Sequence, residues 1–128
     1  MATVPVDCPC SSGLPYDTCC GPLHRGEIGA PTAERLMRSR YSAFALSDER
    51  YLLRTWHPST RPTSIPLDRR MRWVSLEIIG RTGGTVLVNK GTVEFRASWR
   101  GPRGMTGEQL ENSRFVREAG TWFYLGEV

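Results

Sequence analysis

The stretch "CPCSSGLPYDTCC", Cys8 to Cys20, holds all four cysteines of a 128-residue chain within thirteen residues. One pair is split by a single proline and the other is adjacent. Three chemistries crowd thiols like this: disulfides, a nucleophilic or redox thiol, and a metal site. Adjacent cysteines bridge each other only with strain, and Cys8 and Cys10 are too close for an easy bridge. A nucleophilic thiol is usually one cysteine with a histidine partner. A metal accounts for all four. Cys8 and Cys10 supply two sulfurs before the chain reverses at Ser11-Ser12-Gly13, and Cys19 and Cys20 supply two after it. A tetrahedron of thiolates suits Zn²⁺, with Zn–S near ~2.3 Å, and the same donor set also holds iron. The expected cofactor is therefore one Zn²⁺ on Cys8, Cys10, Cys19 and Cys20. His24 lies four residues beyond a shell already filled and is read as a linker residue.

The leader needs such an ion. Residues 1–24 carry few large apolar side chains, chiefly Val4, Val6, Leu14, Tyr16 and Leu23. That is too little burial to offset the entropy of ordering them. A structural zinc supplies apparent binding free energy on the order of 10–16 kcal/mol. A single helical turn at Asp17-Thr18 would present the last two sulfurs. The expected organisation is a zinc knuckle over 1–25, a Gly/Pro-bearing linker over 26–32 and a globular domain over 33–128.

Composition agrees with a folded domain. Hydrophobic residues make up 39% and charged residues 23%, an ordinary globular balance. No run approaches the ~20 apolar residues of a membrane span. The start "MATVPVDCPC" has neither a basic region nor an apolar core, so no secretory signal is expected. A cytoplasmic location follows as the expectation, and it keeps thiols reduced. The formal charge is +4, with sixteen arginines against the single Lys90. Four thiolates on a divalent ion would lower that charge to about +2. Arginine's planar fork suits phosphates and carboxylates.

The segment "CPCSSGLPYDTCCGPLHRG" resembles the SEC-C zinc motif, a C-x-C-x8-C-[CH] pattern also found at the C-terminal tail of the preprotein-translocation ATPase. The following "APTAERLMRSRYSAFAL" and "YLLRTWHPSTRP" are similar to the YchJ-like family of small uncharacterised bacterial proteins. That resemblance implies an α+β, NTF2-like domain behind the zinc motif. Two departures stand out. Ser11 occupies a position where the motif commonly has glycine, and the second, C-terminal cysteine motif of many relatives is missing from this sequence.

The residue pattern leads to the same fold class. Pro31 and Thr32 open a helix with Glu34 in its first turn. Ala33, Leu36, Met37, Arg40, Tyr41 and Phe44 share one face, and Arg35, Arg38, Ser39 and Ser42 the other. Ser47 and Asp48 cap a second helix carrying Tyr51, Leu52 and Leu53, stopped by Pro58. Beyond Pro66 the period becomes two. Val74, Leu76 and Ile78 alternate with Trp73, Ser75 and Glu77, and Val93, Phe95, Ala97 and Trp99 form an apolar face. Val86 and Val88 have the opposite parity, which predicts a bulge at Gly91 in one long bent strand. "GPRGMTG" reads as a loop, and Ala119-Gly120 as the last hairpin turn. The expected architecture is two helices packed on a curved antiparallel sheet of about four strands.

No P-loop, GxGxxG or HExxH motif is present, so the sequence leans away from an enzyme. Three functions are expected in descending order. The first is a protein-interaction module with a structural zinc and a cytosolic protein partner. The second is a small-molecule binder or enzyme using the NTF2-like pocket, with His57 of "TWHPSTRP" as the candidate catalytic residue. The more economical reading there has Trp56 on the core and His57 and Thr60 holding irregular backbone. The third is nucleic-acid binding through Arg35, Arg38 and Arg40, or through Arg69, Arg70 and Arg72.

Overall fold

A computed structural model describes residues 6–128. Val4, counted among the leader's few apolar residues, lies outside them. A 3-10 turn (Tyr16–Thr18) and a short helix α1 (Gly21–His24) precede helices α2 (Ala33–Ala45) and α3 (Glu49–Arg54). Four strands follow, β1 (Arg72–Gly83), β2 (Lys90–Arg100), β3 (Thr106–Glu118) and β4 (Thr121–Glu127). They pair antiparallel in the order β1-β2-β3-β4, so the α+β expectation holds with the helices packed on one open sheet. Among the described residues no helix is long and apolar enough to cross a membrane.

Helix α2 begins where Thr32, in extended conformation, accepts a hydrogen bond from the Arg35 amide at 3.1 Å. That satisfies one of the free N–H groups at the helix start. It ends with Ser47 in the left-handed region (φ 58°). The Asp48 amide bonds Ala43 O and the Ser47 amide bonds Phe44 O, the Schellman arrangement usually built on glycine. Asp48 alone caps α3, its Oδ1 accepting from the Tyr51 amide at 3.1 Å. The two residues expected to share one cap thus divide the labour. Ser47 closes α2 and Asp48 opens α3, which stops at Arg54.

Leu36, Met37 and Tyr41 bury against Val93, Phe95, Phe115 and Trp122 of the sheet. A core side chain such as Phe115, only 1% exposed, contributes roughly 1.5–3 kcal/mol by leaving water. The face assigned to Ser39 and Ser42 does not meet solvent. Both serines are fully buried, because the cysteine knuckle and His24 cover that side of the helix. The knuckle cysteines belong to the same cluster of buried residues as the sheet core.

Two expectations about the strands need correction. The β1 register against β2 shifts between Trp73 and Ser75 and again between Ile78 and Gly80. Each shift bulges out one residue, leaving Val74 50% and Ile79 44% exposed. A bulge exchanges the two faces of a strand. Trp73 therefore joins Leu76 and Ile78 on the core side, edge-on to Tyr41 and Phe44. The predicted alternation with Val74 inside fails at that bulge.

Val86 and Val88 are not in a strand at all. β2 starts at Lys90, and Gly91 sits in regular register between Gly83 and Phe115. Gly91 is needed for close approach, since a Cβ there would lie 2.5 Å from the Gly84 backbone. Arg117 holds the intervening loop through Val86 O and Asn89 Oδ1. Ala119 and Gly120 both have positive φ, the two-residue turn that matches the twist of a hairpin.

Candidate metal centre and the cavity beneath helix α2

The knuckle is a miniature hairpin. The Cys8 amide bonds Leu14 O at 2.9 Å and the Tyr16 amide bonds Val6 O at 2.8 Å, while Asp7 and Pro15 pair antiparallel. The reversal uses two left-handed residues, Ser11 (φ 66°) and Gly13 (φ 82°). Glycine is the natural occupant of such a position. Ser11 instead contributes a side chain, its Oγ accepting from the Leu76 amide of β1 at 3.1 Å. The 3-10 turn then brings Cys19 and Cys20 back, and Cys20 leads into α1.

These elements place one sulfur from each of Cys8, Cys10, Cys19 and Cys20 within 4.8 Å of one another, all four residues buried. Cys10 Sγ and Cys19 Sγ are 3.6 Å apart, and Cys19 Sγ and Cys20 Sγ 4.0 Å. A tetrahedron with metal–sulfur bonds near 2.3 Å has edges of about 3.8 Å. The donor set therefore fits a metal ion.

Electrostatics point the same way. Hydrogen bonds from Cys10 and Cys20 push the Cys8 thiol far down, while hydrogen bonding to Cys10 and Cys8, with burial, pushes Cys20 far up. The protein by itself thus favours one thiolate and opposes the next. A cation removes that conflict, because metal-bound thiols ionise outright. Polar hydrogens already surround the sulfurs. Ser12 Oγ lies 3.2 Å from Cys19 Sγ and Ser42 Oγ 3.4 Å from Cys8 Sγ. Arg35 donates from Nη1 to Cys19 Sγ at 3.6 Å and from Nη2 to Cys19 O at 2.9 Å. Such outer partners orient the ligands and offset the excess negative charge of four thiolates on a divalent ion.

His24 is neither a ligand nor a passive linker residue. Its Nδ1 is 2.7 Å from the Tyr16 hydroxyl and its Nε2 2.8 Å from Ser39 O of α2. Its ring packs edge-on against Tyr51, with centroids 4.6 Å apart. Arg38 reaches Cys10 O at 2.9 Å, and Arg54 reaches Leu23 O at 3.2 Å. Sequence reading missed this set of braces. The available signal was Ser39 and Ser42, two small residues one turn apart that let another chain segment come close to the helix. The braces also engage the first of the two arginine sets considered for nucleic acid. Arg35 and Arg38 are occupied by knuckle carbonyls and Arg40 is buried. Arg69, Arg70 and Arg72 are exposed, with Arg70 paired to Asp68.

His57 lies elsewhere. Its Nε2 meets Glu118 Oε1 at 2.9 Å, and its Nδ1 accepts from the Ser59 amide with Ser59 Oγ at 2.7 Å. The order Ser59–His57–Glu118 mimics a nucleophile–base–acid line, but Ser59 is two residues away on an exposed turn. The neighbouring backbone shows what the segment does. The His57 amide bonds Tyr124 O, the Tyr124 amide bonds Thr55 O, and Trp56 bridges Tyr124. Thr60 Oγ1 accepts from Trp56 Nε1 at 3.1 Å. The loop after α3 is thereby stitched to β4.

One cavity of the domain is a separate place. About 260 Å³ lies between α2, this loop and the inward side of the sheet, and His57 does not line it. Its polar groups are Arg40, Tyr41, Gln109, Glu111 and Tyr124. Glu111 was missed, although it shares strand parity with the buried Ser113 and Phe115. Burial, opposed by a hydrogen bond from Ser113 and reinforced by Glu127, holds its carboxyl above the usual range.

Residues 32–126 match the YchJ middle NTF2-like domain. The chain belongs to the YchJ-like family. A UPF0225 protein of Streptomyces avermitilis is 54% identical over 123 residues, covering 94% of this chain and 83% of that one. The solution structure of RPA3114, a SEC-C motif containing protein from Rhodopseudomonas palustris, superposes with a TM-score of 0.83. The two are 33% identical, over 96% of this chain and 98% of the other. A crystal structure of a SEC-C motif containing protein from Psychrobacter arcticus gives a TM-score of 0.76 at 31% identity, over 92% and 79% of the chains. The YchJ-like assignment covers the NTF2-like domain, and the SEC-C likeness adds the cysteine knuckle.

Proposed function

We propose that Cys8, Cys10, Cys19 and Cys20 hold one structural Zn²⁺, and that the zinc-stapled chain is a protein-interaction module of the cytosol. The observation that carries the metal reading is the buried quartet of sulfurs within 4.8 Å. Sulfur donors at tetrahedral spacing are the set that zinc fills completely, leaving no open position for substrate. Every thiolate is used and the braces around the site are structural, so the reading favours a binding protein over a metalloenzyme. The interaction reading draws support from the hairpin's outer side, where Val6 and Leu14 remain 75% and 52% exposed on a segment the metal would make rigid. A rigid loop loses less entropy when it docks.

Native mass spectrometry before and after a strong chelator tests the metal. Loss of one zinc mass supports the reading, and a metal-free protein that ignores added zinc defeats it. For the partner, a photo-crosslinker at position 14 is compared in zinc-loaded and chelated protein. Zinc-dependent crosslinks abolished by Val6→Ser support docking through the hairpin. Crosslinks indifferent to zinc would remove that surface while leaving the structural metal intact.

A further inference from the structure

We propose that the cavity beneath α2 is a binding site for a small, flat, apolar-bodied carboxylate, with Arg40 as the residue that takes the carboxylate. This goes beyond the interaction module and does not depend on it.

Arg40 is 3% exposed. Its Nη1 donates to Leu52 O and Thr55 Oγ1, both at 2.7 Å. Its guanidinium lies 4.4 Å from the ring centre of Tyr124 and 5.3 Å from that of Trp56. Among the described residues no carboxylate pairs with it, and both of its side-chain hydrogen bonds leave from Nη1. A charge buried without a paired counter-ion is destabilising. Burial presses the Arg40 guanidinium down to about 10, in keeping with a cation short of a counter-ion. Two hydrogen bonds to neutral oxygens fix its position and leave the other side of its donor fork free. That free fork is the geometry a carboxylate matches in bidentate fashion.

A second buried polar group lies in the cavity wall. Tyr41 lines the same cavity and is 3% exposed, and its hydroxyl has no partner. Buried polar atoms without partners are rare and call for an explanation. Arg40 is the group that a ligand oxygen in this cavity would pair with. Glu111 lines the same cavity but makes no ion pair with Arg40, its carboxylate accepting instead from Ser113 Oγ and, at 3.3 Å, from the Tyr124 hydroxyl.

The walls define the rest of the ligand. Phe44, Trp56, Trp73 and Phe95 line the cavity, and aromatic walls suit a flat apolar body. An apolar cavity of about 150 Å³ accepts benzene. The 260 Å³ here therefore takes one ring with a short acidic side chain. Arg40 is the sole cation among the lining residues, which favours a monocarboxylate over a phosphate ester.

The test uses the full, zinc-loaded chain and the probe 3-phenylpropionate, followed by the indole N–H signals of Trp56 and Trp73 in NMR. The acid should give saturable shifts, and 3-phenylpropanamide should bind about tenfold weaker or worse, equivalent to the loss of roughly 1.4 kcal/mol. Ala97→Leu intrudes into the cavity while leaving Arg40 in place, and should abolish the shifts in a protein whose dispersed NMR spectrum shows it still folded. Arg40→Lys should weaken the acid and spare the amide. Equal binding of acid and amide, no saturation at millimolar acid, or undiminished binding by Ala97→Leu would each overturn the proposal. Tighter binding of L-phenylalanine than of the acid would also overturn it, in favour of a zwitterion site shared with Glu111.

Discussion

The sheet and the cysteine knuckle cover opposite faces of α2 and hold it by different physics. On the sheet side Leu36, Met37 and Tyr41 interlock with Val93, Phe95 and Phe115, a non-directional attraction that scales with area. On the knuckle side the contacts are directional. Arg35 and Arg38 bond the carbonyls of Cys19 and Cys10, His24 bonds Ser39 O, and Ser42 approaches Cys8 Sγ. Area burial tolerates small shifts, whereas hydrogen bonds and metal geometry do not. A segment too short to build a core can therefore be held rigidly against one, provided its own shape is fixed by something other than burial.

The sharpest way to break this contrast is to remove the proposed zinc. Chelation, or Cys10→Ser, should unravel residues 6–25 at a cost of many kcal/mol, given the ~10–16 kcal/mol of a structural zinc. Hydrogen exchange should show the knuckle amides and His24 losing protection while β1 to β4 keep theirs. Uniform loss across the sheet would mean that the two covers of α2 are not separable.

Next in size, Phe115→Ala should cost about 3–5 kcal/mol in denaturant unfolding and leave the metal content unchanged. Release of the metal on that substitution would place the knuckle under control of the sheet. His24→Ala should cost roughly 2 kcal/mol, for two hydrogen bonds lost around buried partners. It should speed metal loss to a chelator, which a change confined to the sheet should not do.

Tyr41→Phe should have the opposite sign. Deleting a buried hydroxyl with no partner relieves its desolvation, stabilising the protein by about 1 kcal/mol at neutral pH. The same residue predicts alkaline behaviour. Burial pushes the Tyr41 phenol up to about 12 and, with Glu111, does the same to Tyr124. A raised folded-state value favours the neutral form, so this stability is complete below the ordinary value of 10 and is lost as pH rises toward 12. Circular-dichroism melts over that window should fall less steeply for Tyr41→Phe than for the parent chain.

The smallest effect is expected at the hairpin turn. Ser11→Gly relieves a left-handed non-glycine but forfeits the hydrogen bond to Leu76, two changes of about 1 kcal/mol that nearly cancel. Ser11→Ala loses the bond and keeps the strain, so it should be the less stable of the pair in thermal melts.

Much of this molecule was readable residue by residue. Thiol spacing, the Thr32 cap, the apolar stripe of α2 and the parity of Val93, Phe95 and Ala97 are local patterns with local causes. The errors arose where a distant segment intervened. The bulge at Val74 turns Trp73 inward because Tyr41 and Phe44 offer it a surface. Val86 and Val88 stay out of the sheet because Gly91 and Gly84 come too close for the strand to continue as expected, and Arg117 holds the loop.

By itself the sequence determined that the leader carries a four-thiol site and that the remainder forms an α+β domain, because ligand spacing and hydrophobic period are written along the chain. Only the tertiary structure decided that the arginine–serine face of α2 is a docking surface for the knuckle, that His24 is a brace, and that Arg40 stands beside an aromatic cavity. Those roles depend on which carbonyls and rings arrive from tens of residues away, and a pattern confined to one helix carries no record of what will cover it.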